Sequence, residues 1–186
     1  MKKKMIRITI LLSIVFSILL PIYFITRNTL IEIFAITIGT TLYHFAMRLI
    51  VGYTVNALMK NRADPLAFWF QPRKWEEPFY KLIRIRKWKK YLPTYDPTSF
   101  DPDEKSMDEI LGASCQAEIV HEIIMLFSLL PLALIPIFGA PAAFILTSLL
   151  AMLFDSLFVI LQRFNRPRLL KVARRFSREQ NHEKIK

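Results

Sequence analysis

The stretch LIEIFAITIGTTLYHFAMRLIV, Leu30 to Val51, decides what kind of protein this is. It stays apolar for about the 20 residues a helix needs to cross a hydrocarbon core. Yet it carries Glu32, His44 and Arg48. Working outward, three more runs of similar length appear: Ile6 to Ile25, Ile119 to Ile137, and Ala142 to Leu161. With 53% hydrophobic residues and only four Gly in 186 residues, and a mean hydropathy of +0.31, the chain has lipid as part of its solvent. The expected fold class is all-α integral membrane: one membrane domain over residues 1–186 with four transmembrane helices. The first run follows MKKKMIR. It is too long for a signal peptide and lacks a small-x-small cleavage site, so it reads as a retained anchor.

Lysine and arginine next to spans favour the cytoplasmic side. Ten lie between Lys60 and Lys90 and nine between Arg163 and Lys186, with Lys2, Lys3, Lys4 and Arg7 at the front. The connections TRNT and FGAP hold one arginine between them. This pattern predicts a multi-pass cell-membrane protein with both termini cytoplasmic, an interfacial segment over 52–111 and a basic tail over 162–186. Within that segment Trp75 to Tyr91 has the spacing of a short amphipathic helix that ends at Pro93. The run PTYDPTSFDPDEKSMDEI reads as turns, with Ser106 available to cap the helix that follows. Pro167 is expected to bend the tail, which reads as helical to about Arg178. The net charge of +11 suits anionic lipid headgroups, and nucleic acid is not expected as a partner. A single cysteine excludes an internal disulfide.

Ionisable residues inside spans are costly and are the first place to seek function. His44 lies roughly 21 Å along its helix axis from Leu30, with Arg48 one turn deeper on the same face. Asp155 falls at a similar depth in the fourth span, on one stripe with Gln162 and Arg166. In the third, Cys115, Glu118, His121 and Glu122 share a face where the chain enters the membrane. Glu118 and His121 stand at i, i+3, so the carboxylate is in reach of the imidazole, as a histidine general base requires. The blander reading is that His121 is an interfacial histidine, that His44 and Arg48 pair with Asp155 or Glu122 across the bundle, and that Cys115 is packing. Glu118-x-x-His121 is half of a di-iron helix motif whose second half is missing, so no metal site is expected.

The motifs AEIVH (Ala117–His121), QRFNRPRLLK (Gln162–Lys171), WFQPRKWE (Trp69–Glu76) and IRKWKKYLP (Ile85–Pro93) resemble the small bacterial membrane acyltransferases of the glycosyl-4,4'-diaponeurosporenoate acyltransferase type. The resemblance covers the chain from about Trp69 to the tail. It implies transfer of a fatty acyl chain to a sugar hydroxyl of a carotenoid glycoside, and it singles out Glu118, His121, Gln162, Arg163, Asn165, Arg166, Pro167 and Arg168. Glu122 departs from the family pattern, which has an aromatic residue after the histidine. The stretch YHFAMRLIVG, with His44 and Arg48, looks more like a separate bacterial branch than the carotenoid enzyme itself, which bears on the substrate.

The expected function is therefore acyl transfer from a cytoplasmic thioester to a hydroxyl of a glycolipid or carotenoid-glycoside-like acceptor. His121 and Glu118 are the catalytic candidates. His44, Arg48, Asp155, Gln162, Arg163, Asn165, Arg166 and Arg168 are the substrate-binding ones, with Arg163, Arg166 and Arg168 suited to phosphates. No cofactor is expected beyond acyl-coenzyme A or acyl-carrier protein as donor, and the partners are membrane lipid and a lipid-linked acceptor. The competing reading is a non-enzymatic four-helix protein that binds anionic lipid or a membrane partner through its basic face. A transporter is disfavoured because the outer half offers little polar lining beyond Glu32, Thr37, Thr40 and Thr41.

Overall fold

The computed structural model describes residues 2–93 and 97–183, with side chains as far as residue 175 apart from that of Pro97. Among these residues every regular element is helical: α1 Lys2–Thr26, α2 Thr29–Met59, α3 Glu76–Leu82, α4 Ile85–Trp88, α5 Met107–Phe127, α6 Ile135–Phe138 and α7 Pro141–Glu183, with short 3-10 turns between. Four segments are long and apolar enough to cross a membrane: Lys2–Thr26, Thr29–Met59, Met107–Phe138 and Pro141–Arg175. The protein is thus of the multi-pass membrane class, and the four expected runs lie inside these segments.

Three elements differ from the sequence expectation, each for a local reason. The third span is not one continuous helix, because α5 ends at Phe127 and a 3-10 turn over Leu130–Leu134 leads into α6. Pro131 supplies no N–H and pushes Leu130 away from α geometry, while the Ser128 hydroxyl donates to the Ile124 carbonyl (2.8 Å). The amphipathic helix expected over Trp75 to Tyr91 is split at Arg84, whose backbone is left-handed at φ 51°. The break lets the Trp88 indole N–H donate to the Ile83 carbonyl (2.9 Å) and buries Ile85 to 1% exposure. Finally, α7 runs on through Pro167 to Glu183. Arg163 and Arg166, on the turn before that proline, are anchored to other elements, which holds the helical path across the missing bond. The last residues of the expected basic tail, 184–186, lie outside the described residues.

The chain divides into two compact units. The first comprises the chain up to Thr54 together with Val120–Ser156. In it α1 buries no side chain at all, so its apolar surface is suited to lipid. The Phe16 ring covers Gly39 so closely that a Cβ there would lie 2.8 Å from Cε2. Three threonine hydroxyls of α2 are satisfied within their own helix, as a medium without water favours. Thr37 donates to the Ile33 carbonyl, Thr40 to Ile36 and Thr41 to Thr37. Glu32 accepts from the Tyr23 hydroxyl (3.1 Å). Glu32, Thr37, Thr40 and Thr41 are thus all engaged locally.

The second unit comprises Val55–Ile119 and the chain from Leu157 onward. Its core is Val55, Phe70, Ile85, Ile110, Leu111 and Cys115. Cys115 has no exposed surface, which fits packing. The end of α2 turns through two left-handed residues, Lys60 (φ 49°) and Asn61 (φ 56°). That turn lays the Asn61 carbonyl directly on α5, where a Cβ at Gly112 would stand 1.9 Å from it, so only glycine fits. The Gln116 side chain then ties the turn down, accepting from the Asn61 N–H (2.8 Å) and donating to Asn56 Oδ1 (3.1 Å). The α5 start is a capping box, as the Ser106 cap foreshadows. The Glu109 N–H donates to Ser106 Oγ (3.3 Å) and the Ser106 N–H to Glu109 Oε2 (3.0 Å).

Candidate functional site

The polar residues of the spans fall into two ionic networks, one in each unit. In the first unit Asp155, 1% exposed, sits on α7 and receives two partners from two other helices. Arg48 of α2 pairs with its Oδ2. His121 of α5 places Nδ1 at 2.8 Å from its Oδ1. Arg48 also donates to the carbonyls of His44 (3.0 Å) and Ala151 (3.3 Å), which orients the guanidinium from both sides. The cross-bundle pairing of Arg48 with Asp155 expected from matched depth is therefore present. The carboxylate on the imidazole, for which helical spacing offers Glu118, is Asp155. A carboxylate pinned through its second oxygen by an arginine holds the ring in one orientation. With the proton on Nδ1, the ring donates to Asp155 Oδ1.

The first unit also holds buried polar groups that no described protein atom satisfies: both ring nitrogens of His44, Arg48 Nε and Ser148 Oγ. His44 is 3% exposed and Ser148 fully buried.

The second network is nearly saturated. Arg163 on α7 spends all five of its N–H bonds. Nε and Nη2 donate to Glu76 Oε1 (2.8 and 2.6 Å), Nη1 to Glu118 Oε1 (2.7 Å) and the Trp69 carbonyl (3.1 Å), and Nη2 also to the Gln71 carbonyl (3.0 Å). Arg166, 1% exposed, pairs with the other Glu118 oxygen, donates to the carbonyls of Phe70 and Ser114 and stacks 4.7 Å from the Phe70 ring centroid. Glu118 has no exposed surface. Its two oxygens are thus taken by arginines. The guanidinium groups expected to meet phosphates clamp the 3-10 turn Phe68–Phe70 and the start of α3 onto α5 and α7. Gln162 joins this scaffold by accepting from the Ser114 hydroxyl (3.0 Å). Glu76 also accepts from the Tyr80 hydroxyl (3.0 Å). Burial, followed by the Glu76 charge, raises the Tyr80 pKa and keeps the phenol protonated.

Asn165 and Arg168 lie one face further round α7. Asn165 Oδ1 accepts from Lys89 Nζ (3.1 Å), and the exposed Arg168 rests 4.1 Å from the Phe164 ring centroid. Two participants are not singled out by the sequence reading. Glu76 closes the WFQPRKWE motif, but no role is assigned to it there: its neighbour Glu77 is exposed and pairs with Lys81, and nothing in the local pattern separates the two. Lys89 is one of several basic residues in the IRKWKK run, equally indistinct by pattern. The arginine surplus at the end of α7 is the one available signal that a buried carboxylate must exist elsewhere.

Among the described residues no group of three or more His, Cys, Asp or Glu could hold a metal ion. An all-helical chain with four membrane-length segments and paired charges on the spanning helices defines a polytopic membrane protein with a polar layer inside its spans. Its family follows from comparison: a profile described as glycosyl-4,4'-diaponeurosporenoate acyltransferase matches residues 66–175. That is more than half of the chain, and the chain belongs to this acyltransferase family. No curated protein and no solved structure matches it.

Proposed function

We propose that the chain is a membrane acyltransferase in which His121 is the general base. A fatty acyl chain passes from a thioester donor made in the cytoplasm, acyl-coenzyme A or acyl-carrier protein, to a hydroxyl of a glycolipid or carotenoid-glycoside-like acceptor. Both chain ends and the basic segments lie on the cytoplasmic side in this reading, as the distribution of lysine and arginine favours.

The observation that carries the proposal is the 2.8 Å contact between His121 Nδ1 and Asp155 Oδ1, with Arg48 on the other carboxylate oxygen. Nε2 takes the proton of the acceptor hydroxyl as its oxygen attacks the thioester carbonyl. Asp155 stabilises the imidazolium that forms. The C–S bond then breaks, and the departing sulfur recovers the proton from Nε2. Arg48 meanwhile keeps the Asp155 carboxylate in place through its second oxygen.

The test is mass spectrometry of lipid extracts from cells expressing the wild-type chain, His121→Ala or Asp155→Asn, each normalised to folded protein in the membrane. Loss of O-acylated glycolipid species in both variants is expected. An unchanged acylation profile in His121→Ala would defeat the catalytic reading and leave the lipid-binding one.

A further inference from the structure

With Arg163 and Arg166 spent on carboxylates, the second unit still carries cations that nothing described balances. Lys89 is half-buried and held by two contacts: its Nζ donates to Asn165 Oδ1 (3.1 Å) and lies 5.2 Å from the Phe164 ring centroid. Arg168 stacks on the same ring at 4.1 Å. Tyr80 packs its edge against that ring, 5.3 Å between centroids at 84°, which fixes the platform. Among the described residues none of Lys89, Arg86 and Arg168 has a carboxylate partner.

A flexible lysine normally swings into water, away from like charge. Here an amide oxygen and an aromatic face hold it beside two arginines. Burial, then Arg168, then Arg86 lower its pKa, so a bound anion would favour its charged form. Cations held together at such a cost belong to a site whose missing member is negative.

We propose that Lys89 and Arg168, both on the Phe164 ring, with Asn165 positioning Lys89 and Arg86 adding charge, form a binding site for a phosphate ester. Two sources carry that group: the phosphate-bearing part of a pantetheine-type acyl donor and the headgroup of an anionic lipid. The donor source rests on the acyl-transfer reading. The binding itself is measured without turnover, so it stands or fails apart from His121.

The experiment uses the full chain in neutral detergent and follows binding of coenzyme A calorimetrically. In parallel, its thermal midpoint is compared in nanodiscs of phosphatidylcholine with and without phosphatidylglycerol. Lys89→Gln and Arg168→Gln are each expected to weaken the responding probe at least about tenfold. Lys89→Arg, which keeps the charge, should stay within about threefold, and Lys3→Gln, outside the cluster, should match wild type. Coenzyme A binding that follows this variant pattern identifies the soluble donor. A phosphatidylglycerol-dependent midpoint rise that follows it, without coenzyme A binding, identifies the lipid headgroup. If neither probe binds, or if both Gln variants respond like wild type, the site does not exist.

Discussion

The two ionic networks use the same chemical parts and treat them oppositely. In the second unit two carboxylates and two arginines interlock until Arg163 has no donor left and both Glu118 oxygens are occupied; Arg166 Nε is the single buried side-chain atom there without a described partner. In the first unit one carboxylate serves an arginine and a histidine, while both His44 ring nitrogens and Arg48 Nε have no described protein partner. Saturation is what a clamp needs, because each unpaired buried group would cost stability. The difference sets the interlocked Glu76, Glu118, Arg163 and Arg166 apart from His121 and Asp155, on which the proposed chemistry rests.

Substitutions can break that division from either side. The largest effect is expected for His121→Ala, where loss of a positioned base should lower acyl transfer by about 10²–10⁴-fold with the thermal midpoint close to wild type. Glu118→Gln should do the converse. It strands the buried Arg166 charge and costs about 3–5 kcal/mol of stability, read as a lowered midpoint and reduced membrane yield. Gly112→Ala, remote in character from both networks, should cost about 1–3 kcal/mol, because a Cβ cannot share space with the Asn61 carbonyl; a midpoint equal to wild type would refute that close approach. The smallest effect concerns pH. Burial and the neighbouring Arg168 and Arg86 hold the Lys89 pKa below the ordinary lysine range. Its charge is complete below that lowered pKa and is lost as pH rises through it. Coenzyme A binding should therefore weaken on the alkaline side earlier than an ordinary lysine would allow, and Lys89→Arg should remove that early loss.

Much of this was legible from residues alone. Spans follow from run length, and the Ser106 cap from its place just before the helix at Met107. The meeting of Arg48 with Asp155 follows from matched depth on separate helices, since a charge inside lipid must find its opposite. The partner of His121 did not follow. The i, i+3 rule identifies neighbours on one helix, but both Glu118 oxygens had stronger claims on them from Arg163 and Arg166, 45 and 48 residues away. Glu76 was equally hidden, because its distinction from Glu77 arises only when the segment after α2 folds onto α7. The break at Arg84 was invisible for a related reason: no glycine marks it, and the burial of Ile85 that compensates for the left-handed backbone is tertiary.

The most direct test of the division is acyl transfer per folded molecule, measured side by side in Asp155→Asn and Glu118→Gln membranes, with folded protein quantified by its thermal transition. Asp155→Asn should lose about 10²-fold or more per folded molecule, because the imidazole loses its charged orienting partner, while Glu118→Gln should lose folded protein and keep its rate per molecule. A Glu118→Gln protein that folds normally but fails to transfer, beside an Asp155→Asn protein that transfers normally, would contradict the account.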